Sequence, residues 1–468
     1  MVESSGDKLV VKALRRRSRR IARSMAVLAV VLPFAGCVFS ERSIPMQPGD
    51  LIRVAPWPAS SPRTMRRWLN DTHSQLEHLL PRSRARALVT KDLVDSAGRP
   101  IDVLGHFGLK HRNLRRVLEN WSGLSHSAQA IGSEFFIDRA PPAWPGFEDI
   151  WIPVSDGIQL SGRLGFSENH GRIRDADCIV LLPGLFGDKG ILRTRDLAAA
   201  LRASGLHVLA LDLRGHGQTE ARYPDVYYTF GVLETVDLMI VSEWLESLPH
   251  VRRTGLIGFC WGANLGLLAA WYDSRPPQHV SITSALARRL PPVSPKPHFS
   301  AGVIAFSTVF HFEGLIEELE TPTAFVIDPV LANMQATTRQ RSKRKNHPEI
   351  THSLGKLIEF EYARSDLSYP QGTEDGLRFL RLTPFKGKPA GDKLANARMP
   401  ILVVQAANDP LCPAQVVADL IAELDNPNVA ALILPGGGHI GFAPYARSYY
   451  FNLIVSFFHP QHGAAGSS

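Results

Sequence analysis

From about residue 147 onward, short unbroken apolar runs alternate with longer stretches of helical periodicity. Asp149-Ile150-Trp151-Ile152-Pro153-Val154 and Ile158-Gln159-Leu160-Ser161-Gly162-Arg163-Leu164 read as two strands, with Asp156-Gly157 as the hairpin turn between them. Strands are expected over residues 178–182, 206–211, 254–258, 302–306, 401–405 and 429–434. Helices are expected over residues 191–204, 233–248, 263–272, 414–424 and 445–458. The strands carry almost no polar positions, so each is expected to be buried on both faces. That pattern predicts an α/β protein: a mostly parallel sheet with helices on both faces and an antiparallel hairpin leading into it.

Two stretches interrupt this alternation. Residues 275–299 hold Pro276, Pro277, Pro291, Pro292, Pro295 and Pro297 and read as a surface insertion, and residues 311–395 separate two core strands. Ahead of the α/β domain, at 147–462, residues 63–146 read as a helical N-terminal extension. Met65-Arg66-Arg67-Trp68-Leu69 and Leu114-Arg115-Arg116-Val117-Leu118 set its pattern. No chemistry is visible in it, and support of the core is its expected role. Residues 37–62 are rich in Pro and Ser and read as a tether.

The first 36 residues change the reading of the charge. A basic run (Lys12, Arg15, Arg16, Arg17, Arg19, Arg20, Arg23) precedes the apolar stretch Ala26 to Leu32, and Phe34-Ala35-Gly36-Cys37 follows. A basic region, a short apolar region and small residues describe an exported leader, with a signal anchor or a misplaced start as the bland alternative, and the ending at Cys37 resembles a bacterial lipobox, in which the cysteine becomes the lipidated first residue. The expectation is a lipid-anchored, extracytoplasmic protein of the cell envelope. Residues 1–36 carry eight Lys/Arg and two Asp/Glu, a net of +6, so of the chain's +8 only 8 − 6 = +2 belongs to the remainder. A nucleic-acid partner therefore loses its main support. One later basic cluster, Arg339, Arg341, Lys343, Arg344 and Lys345, is expected to be a solvated face. With Cys37 set aside, Cys178, Cys260 and Cys412 remain, which gives neither a disulfide framework nor metal-ligand spacing.

The chemistry-bearing residues lie at the ends of the expected strands. Gly258-Phe259-Cys260-Trp261-Gly262 sits between a β-rich and a helical run. This is the setting of a nucleophile elbow, with cysteine where serine is usual. The start of a helix favours a thiolate. A small buried cysteine that merely packs is the bland alternative, and two partners downstream count against it. Asp409, in Ala406-Ala407-Asn408-Asp409-Pro410, follows the strand 401–405 and is placed to orient an imidazole. His439, in Gly436-Gly437-Gly438-His439-Ile440-Gly441-Phe442, follows the last strand and is the candidate base. Backbone N–H groups of Leu185, in Pro183-Gly184-Leu185-Phe186-Gly187, and of Trp261 are the candidate oxyanion donors. Asp212-Leu213-Arg214-Gly215-His216-Gly217 reads as a structural loop, and His216 comes too early in the chain to be the preferred base.

Together these motifs, in the order nucleophile, acid, histidine, resemble the α/β-hydrolase superfamily over about residues 148–458. The stretch from Gly437 to Phe442, Tyr228-Thr229-Phe230-Gly231 with Asp237-Leu238, and Glu359-Phe360-Glu361-Tyr362-Ala363 are similar to the YheT-like carboxylesterases. Three positions depart from that pattern. Cys260 stands for serine, Pro183 for a histidine, and Ala263 for a second glycine. Cysteine elbows of this kind are known in dienelactone hydrolases and polyhydroxyalkanoate synthases. The resemblance implies that residues 311–395 form a cap over the site, and that the protein cleaves small-molecule carboxylic esters, lipid esters or thioesters, with no metal or organic cofactor. Acyl transfer to an alcohol uses the same machinery and stays open, as does an inactive envelope protein that kept the fold, although a complete triad argues against the last.

Overall fold

The computed structural model describes residues 65–458, apart from 84, 108–122, 124, 128–129, 131–143, 277, 280, 283, 289, 311, 313, 317–328, 348–349, 351–352, 366–378 and 383–392. The expected leader, Cys37, the tether and the helix near residue 116 lie outside the described residues.

Eleven strands are described: β1 Leu88–Val89, β2 Glu148–Pro153, β3 Gln159–Gly165, β4 Glu168–Asn169, β5 Arg172–Ile173, β6 Ala176–Leu182, β7 His207–Leu211, β8 Val251–Phe259, β9 Gly302–Phe306, β10 Ile401–Ala406 and β11 Val429–Leu434. Nine form one sheet in the order β1-β11-β10-β9-β8-β6-β7-β3-β2, and β4 and β5 form a separate hairpin. From β7 to β11 all pairings are parallel. The pairs β2–β3, β3–β7 and β1–β11 are antiparallel. Asp156 and Gly157 turn the β2–β3 hairpin with φ of 60° and 71°, both left-handed, within the three-residue loop Ser155 to Gly157.

Every residue of β6, β7, β9, β10 and β11 is buried, which is why these runs lack polar alternation. The helices expected from periodicity are present at Leu192–Ala203, Val232–Glu246, Trp261–Tyr272, Ala414–Glu423 and Phe442–Phe458. All twelve residues of Trp261–Tyr272 are buried. A helix apolar on every side belongs in the middle of a core, and here it lies behind the sheet centre at β8 and β9.

The N-terminal extension is more than a helical support. Its helix Met65–Leu76 packs Trp68 edge-on against Phe457, with ring centres 5.5 Å apart, and its two-residue strand β1 pairs Leu88 with Ile433 and Val89 with Leu432 on the edge of the sheet. Between β9 and β10 the described residues include the helices Pro329–Arg344 and Leu354–Arg364, where the interruption was expected. The basic cluster on the first of these is not a solvated face throughout. Arg341 is buried with Glu361 and Glu220, and Lys345 lies against Glu220 and the Val226 carbonyl. Distant carboxylates, which local charge counting does not register, draw these side chains inward.

Candidate active site

The turn between β8 and the helix Trp261–Tyr272 is a single residue, Cys260, with φ 53° and ψ −116°. A non-glycine residue in this region is strained, and strain of this kind persists only where its surroundings fix it. The fixing contacts are specific. The Cys260 N–H donates to the Phe306 carbonyl at 2.9 Å, and its own carbonyl accepts from Ala263 and Asn264. A Cβ on Gly258 would fall on the Gly262 carbonyl, and one on Gly262 would fall on the Pro183 carbonyl, so both flanking glycines are sterically required. The loop after β6 runs across the thiol, because a Cβ on Gly184 would lie 3.8 Å from Cys260 Sγ. The cysteine is only 6% exposed.

Beyond β10, the turn fixes Asp409 completely. Oδ1 accepts from the N–H groups of Leu411 and Cys412, both at 2.9 Å, and Oδ2 accepts from Gln405 Nε2 at 2.8 Å. His439 Nδ1 lies 3.1 Å and 3.2 Å from the two carboxylate oxygens. That contact sets the tautomer, with the proton on Nδ1 facing Asp409. Burial works against a charged imidazole, but the Asp409 carboxylate outweighs it, aided by Cys260 and Cys412. The His439 pKa is held well above its ordinary value. The same interactions place both thiols electrostatically close to this ring. Burial pushes the Cys412 thiol up, with Asp409 adding to the rise.

The histidine loop is held by four backbone hydrogen bonds, one of them within the loop. Gly438 N–H donates to Asn408 Oδ1, Ile440 N–H to Ser307 Oγ, and Gly441 N–H to the Gly437 carbonyl. The fourth contact comes from the N-terminal extension: the His439 N–H donates to Ser127 Oγ at 2.7 Å, and that hydroxyl donates to the Gly123 carbonyl at 2.7 Å. Gly438 has φ 55°, and the space a Cβ would need there is filled by Gly123 and Ser127.

The loop after β6 carries Leu185 and then Phe186, which is left-handed at φ 60°. The Phe186 N–H donates to His216 Nε2 at 3.2 Å, and His216 Nδ1 bonds the Arg214 carbonyl at 2.9 Å. Among the described residues the Leu185 and Trp261 N–H groups have no acceptor, which is the condition an oxyanion site needs. The Trp261 indole is anchored separately, donating to the Phe230 carbonyl at 3.0 Å and packing on Phe312 with ring centres 4.2 Å apart.

The model of the alpha/beta hydrolase fold matches residues 177–444, more than half of the chain. The chain belongs to the alpha/beta hydrolase fold family. Solved structures similar to it include the Pyrococcus furiosus esterase Pf2001, at 17% identity, TM-score 0.43, 68% of this chain and 96% of that one. A 2,6-dihydroxy-pseudo-oxynicotine hydrolase shares 15% identity at TM-score 0.43, over 78% of this chain and 93% of that one. The dienelactone hydrolase from Anabaena variabilis shares 14% at TM-score 0.37, over 68% and 98%. The comparison with curated proteins returns no match.

In this alpha/beta hydrolase the expected residues occupy the ends of β6, β8, β10 and β11, on one edge of the sheet. Asp409 and His439 are in direct contact, Cys260 stands at the elbow, and Gly184 brings Leu185 beside it. His216 is tied up by Phe186 and Arg214 and serves the loop, in line with its reading as structural. Sequence reasoning missed Ser127, Ser307 and Gln405, single polar residues with no motif around them. It counted Cys412 only among the three remaining cysteines, yet the donor atoms of Cys412, Asp409 and His439 lie within 4.8 Å of one another. Such a set would hold a zinc-like cation only by displacing the Asp409–His439 hydrogen bond.

Proposed function

We propose that this alpha/beta hydrolase cleaves carboxylic esters or thioesters through an acyl-cysteine intermediate, in the manner of the YheT-like carboxylesterases but with a thiol nucleophile. The observation that carries the reading is the left-handed Cys260 at a helix N-terminus, electrostatically coupled to a buried His439–Asp409 pair. His439 already holds the proton drawn from the Cys260 thiol, and the Cys260 thiolate attacks the substrate carbonyl. The N–H groups of Leu185 and Trp261 hold the oxyanion. Collapse of the tetrahedral adduct expels the alcohol, which takes the proton from His439. His439 then removes a proton from water, and the resulting hydroxide cleaves the acyl-cysteine. Asp409 keeps the imidazole in its working tautomer throughout. The leader ending at Cys37 supports a lipid-anchored enzyme on the outer side of a bacterial membrane, and the segment 311–395 supports a cap that selects substrates.

The test is intact-mass spectrometry after incubation with a panel of p-nitrophenyl esters and acyl thioesters. The expected result is an acyl adduct that maps to Cys260, decays in water, and is absent from Cys260→Ala. An adduct that persists until an alcohol is added identifies an acyltransferase. If no substrate in the panel leaves an adduct or is turned over, the reading is wrong.

A further inference from the structure

Arg341 leaves the helix Pro329–Arg344 and enters the core, where it is 1% exposed. Its guanidinium is fully engaged. Nη1 donates to the Gly215 carbonyl and to Glu220 Oε1, while Nε and Nη2 donate to the two oxygens of Glu361, the latter at 2.7 Å. Its Cζ stands 5.3 Å from the centre of the Phe186 ring and 5.8 Å from that of Tyr228.

Two routes lead from this group to the oxyanion donors. The first runs through the loop after β6. Gly215, which Arg341 grips, lies between Arg214 and His216, and His216 accepts the Phe186 N–H while its ring stacks on Phe186 with an interplanar angle of 26°. Phe186 is the residue after Leu185, so its peptide sets the direction of the Leu185 backbone. Burial, and then the Arg341 charge, lower the His216 pKa to about 3. The ring is therefore neutral and can accept at Nε2 while donating from Nδ1. The second route runs through Glu361, whose Oε2 accepts the Tyr228 N–H at 2.7 Å. Two residues on, the Phe230 carbonyl accepts the indole N–H of Trp261. One cation thus holds the supports of both donors.

We propose that Arg341 is a positioning residue that aims the Leu185 and Trp261 N–H groups, so that docking of the segment 329–364 sets the rate of the chemical step. This rests on the reading of those two groups as the oxyanion site. A buried ion pair is seldom more stabilising than apolar packing of the same volume, so stability alone gives little reason for this arrangement. The planar fork, which holds a carbonyl and two carboxylates at once, gives a geometric one.

Arg341→Lys keeps the charge that Glu361 and Glu220 require and loses the fork and the stacking plane. Phe186→Leu leaves every Arg341 ion pair in place and removes the ring that Arg341 and His216 hold. Both are assayed well below their thermal midpoints, with far-UV circular dichroism to establish that they are folded. Each should lower kcat by about 10- to 100-fold with KM within about twofold, because the lost interaction is made in the transition state. A purely structural role would lower the midpoint and leave kcat unchanged. Wild-type kcat in the two folded variants, or a change confined to KM, overturns the proposal. The wild-type protein is run in parallel for acylation of Cys260. If it forms no acyl-enzyme, the catalytic reading itself has failed, and this inference falls with it.

Discussion

Replacing Ser127 by alanine removes one oxygen from a fully buried position, and that oxygen serves two backbone groups. The hydroxyl accepts the His439 N–H and donates to the Gly123 carbonyl, both at 2.7 Å. In Ser127→Ala the buried His439 N–H loses its partner, and the Gly123 carbonyl loses this donor. A buried polar group deprived of its hydrogen bond costs about 1–3 kcal/mol, so the loss at His439 should destabilise the fold by about that amount. With a urea dependence of about 3 kcal/mol/M, the midpoint should fall by roughly 0.3–1 M with little change in slope. The second effect is on the site. The His439 loop keeps its contacts to Asn408 and Ser307 but loses the one on its own backbone N–H. Displacement of a catalytic group by about 1 Å can cost on the order of 100-fold, so kcat should drop by about 10- to 100-fold in protein that is still folded. Ser127→Thr keeps the hydroxyl and should recover most of the turnover. A Ser127→Ala protein with the wild-type urea midpoint and wild-type kcat would refute the claim that the extension anchors the catalytic loop.

Four further outcomes are expected. Iodoacetamide should label Cys260 faster than Cys178 or Cys412, whose thiols burial pushes up, and Cys260→Ala should abolish turnover with little change in melting temperature; equal labelling of all three thiols would count against the elbow assignment. The raised His439 pKa makes its proton stabilising below the ordinary histidine value, an increment lost as pH rises through the raised native value. Asp409→Asn should flatten that part of the stability–pH curve and lower kcat by about 10³- to 10⁴-fold, whereas an unchanged curve would show that the pair is not coupled. Cys37→Ser should release the protein from the membrane fraction of its host or block its processing, and a cytosolic full-length wild type would remove the envelope reading. Replacing much of 311–395 by a short Gly/Ser loop should alter the ratio of kcat/KM for short and long esters, and a folded variant with an unchanged ratio would show that the segment does not select substrates.

The sheet was legible because its strands are buried on both faces, and continuous apolar runs such as Cys178 to Leu182 admit few other structures. The elbow was legible because two glycines at fixed spacing have a steric cause that is independent of context. What stayed hidden depends on partners far along the chain. Strand β1 is two residues long, too short for any period to register, and forms because β11 offers it an edge. Ser127 looks like any serine until the fold brings His439 against it. Arg341 read as one of five surface charges because its carboxylates, Glu220 and Glu361, lie 121 and 20 residues away. Element boundaries moved for a local reason. The final helix begins at Phe442, where residue 445 was expected, and breaks at Ala446, since the Gly-rich histidine loop feeds straight into it.

The closing of the sheet by β1 joins the beginning of the described chain to its end. Leu88 pairs with Ile433, and Ser127 bonds His439 across a separation of 312 residues. Contacts this distant in sequence are the slowest to form, because their loop must be closed before they return any free energy. On a ribosome the extension emerges first and waits for β11, the last strand made. The α/β layers are able to collapse earlier, from neighbours such as β6, β7 and β8, but the histidine loop has no final shape until the extension has met it. Catalytic competence should therefore appear as the last phase of folding, later than the return of secondary structure. A chain that lacks the extension from Met65 to Ser127, or that stops before β11, would collapse and remain inert.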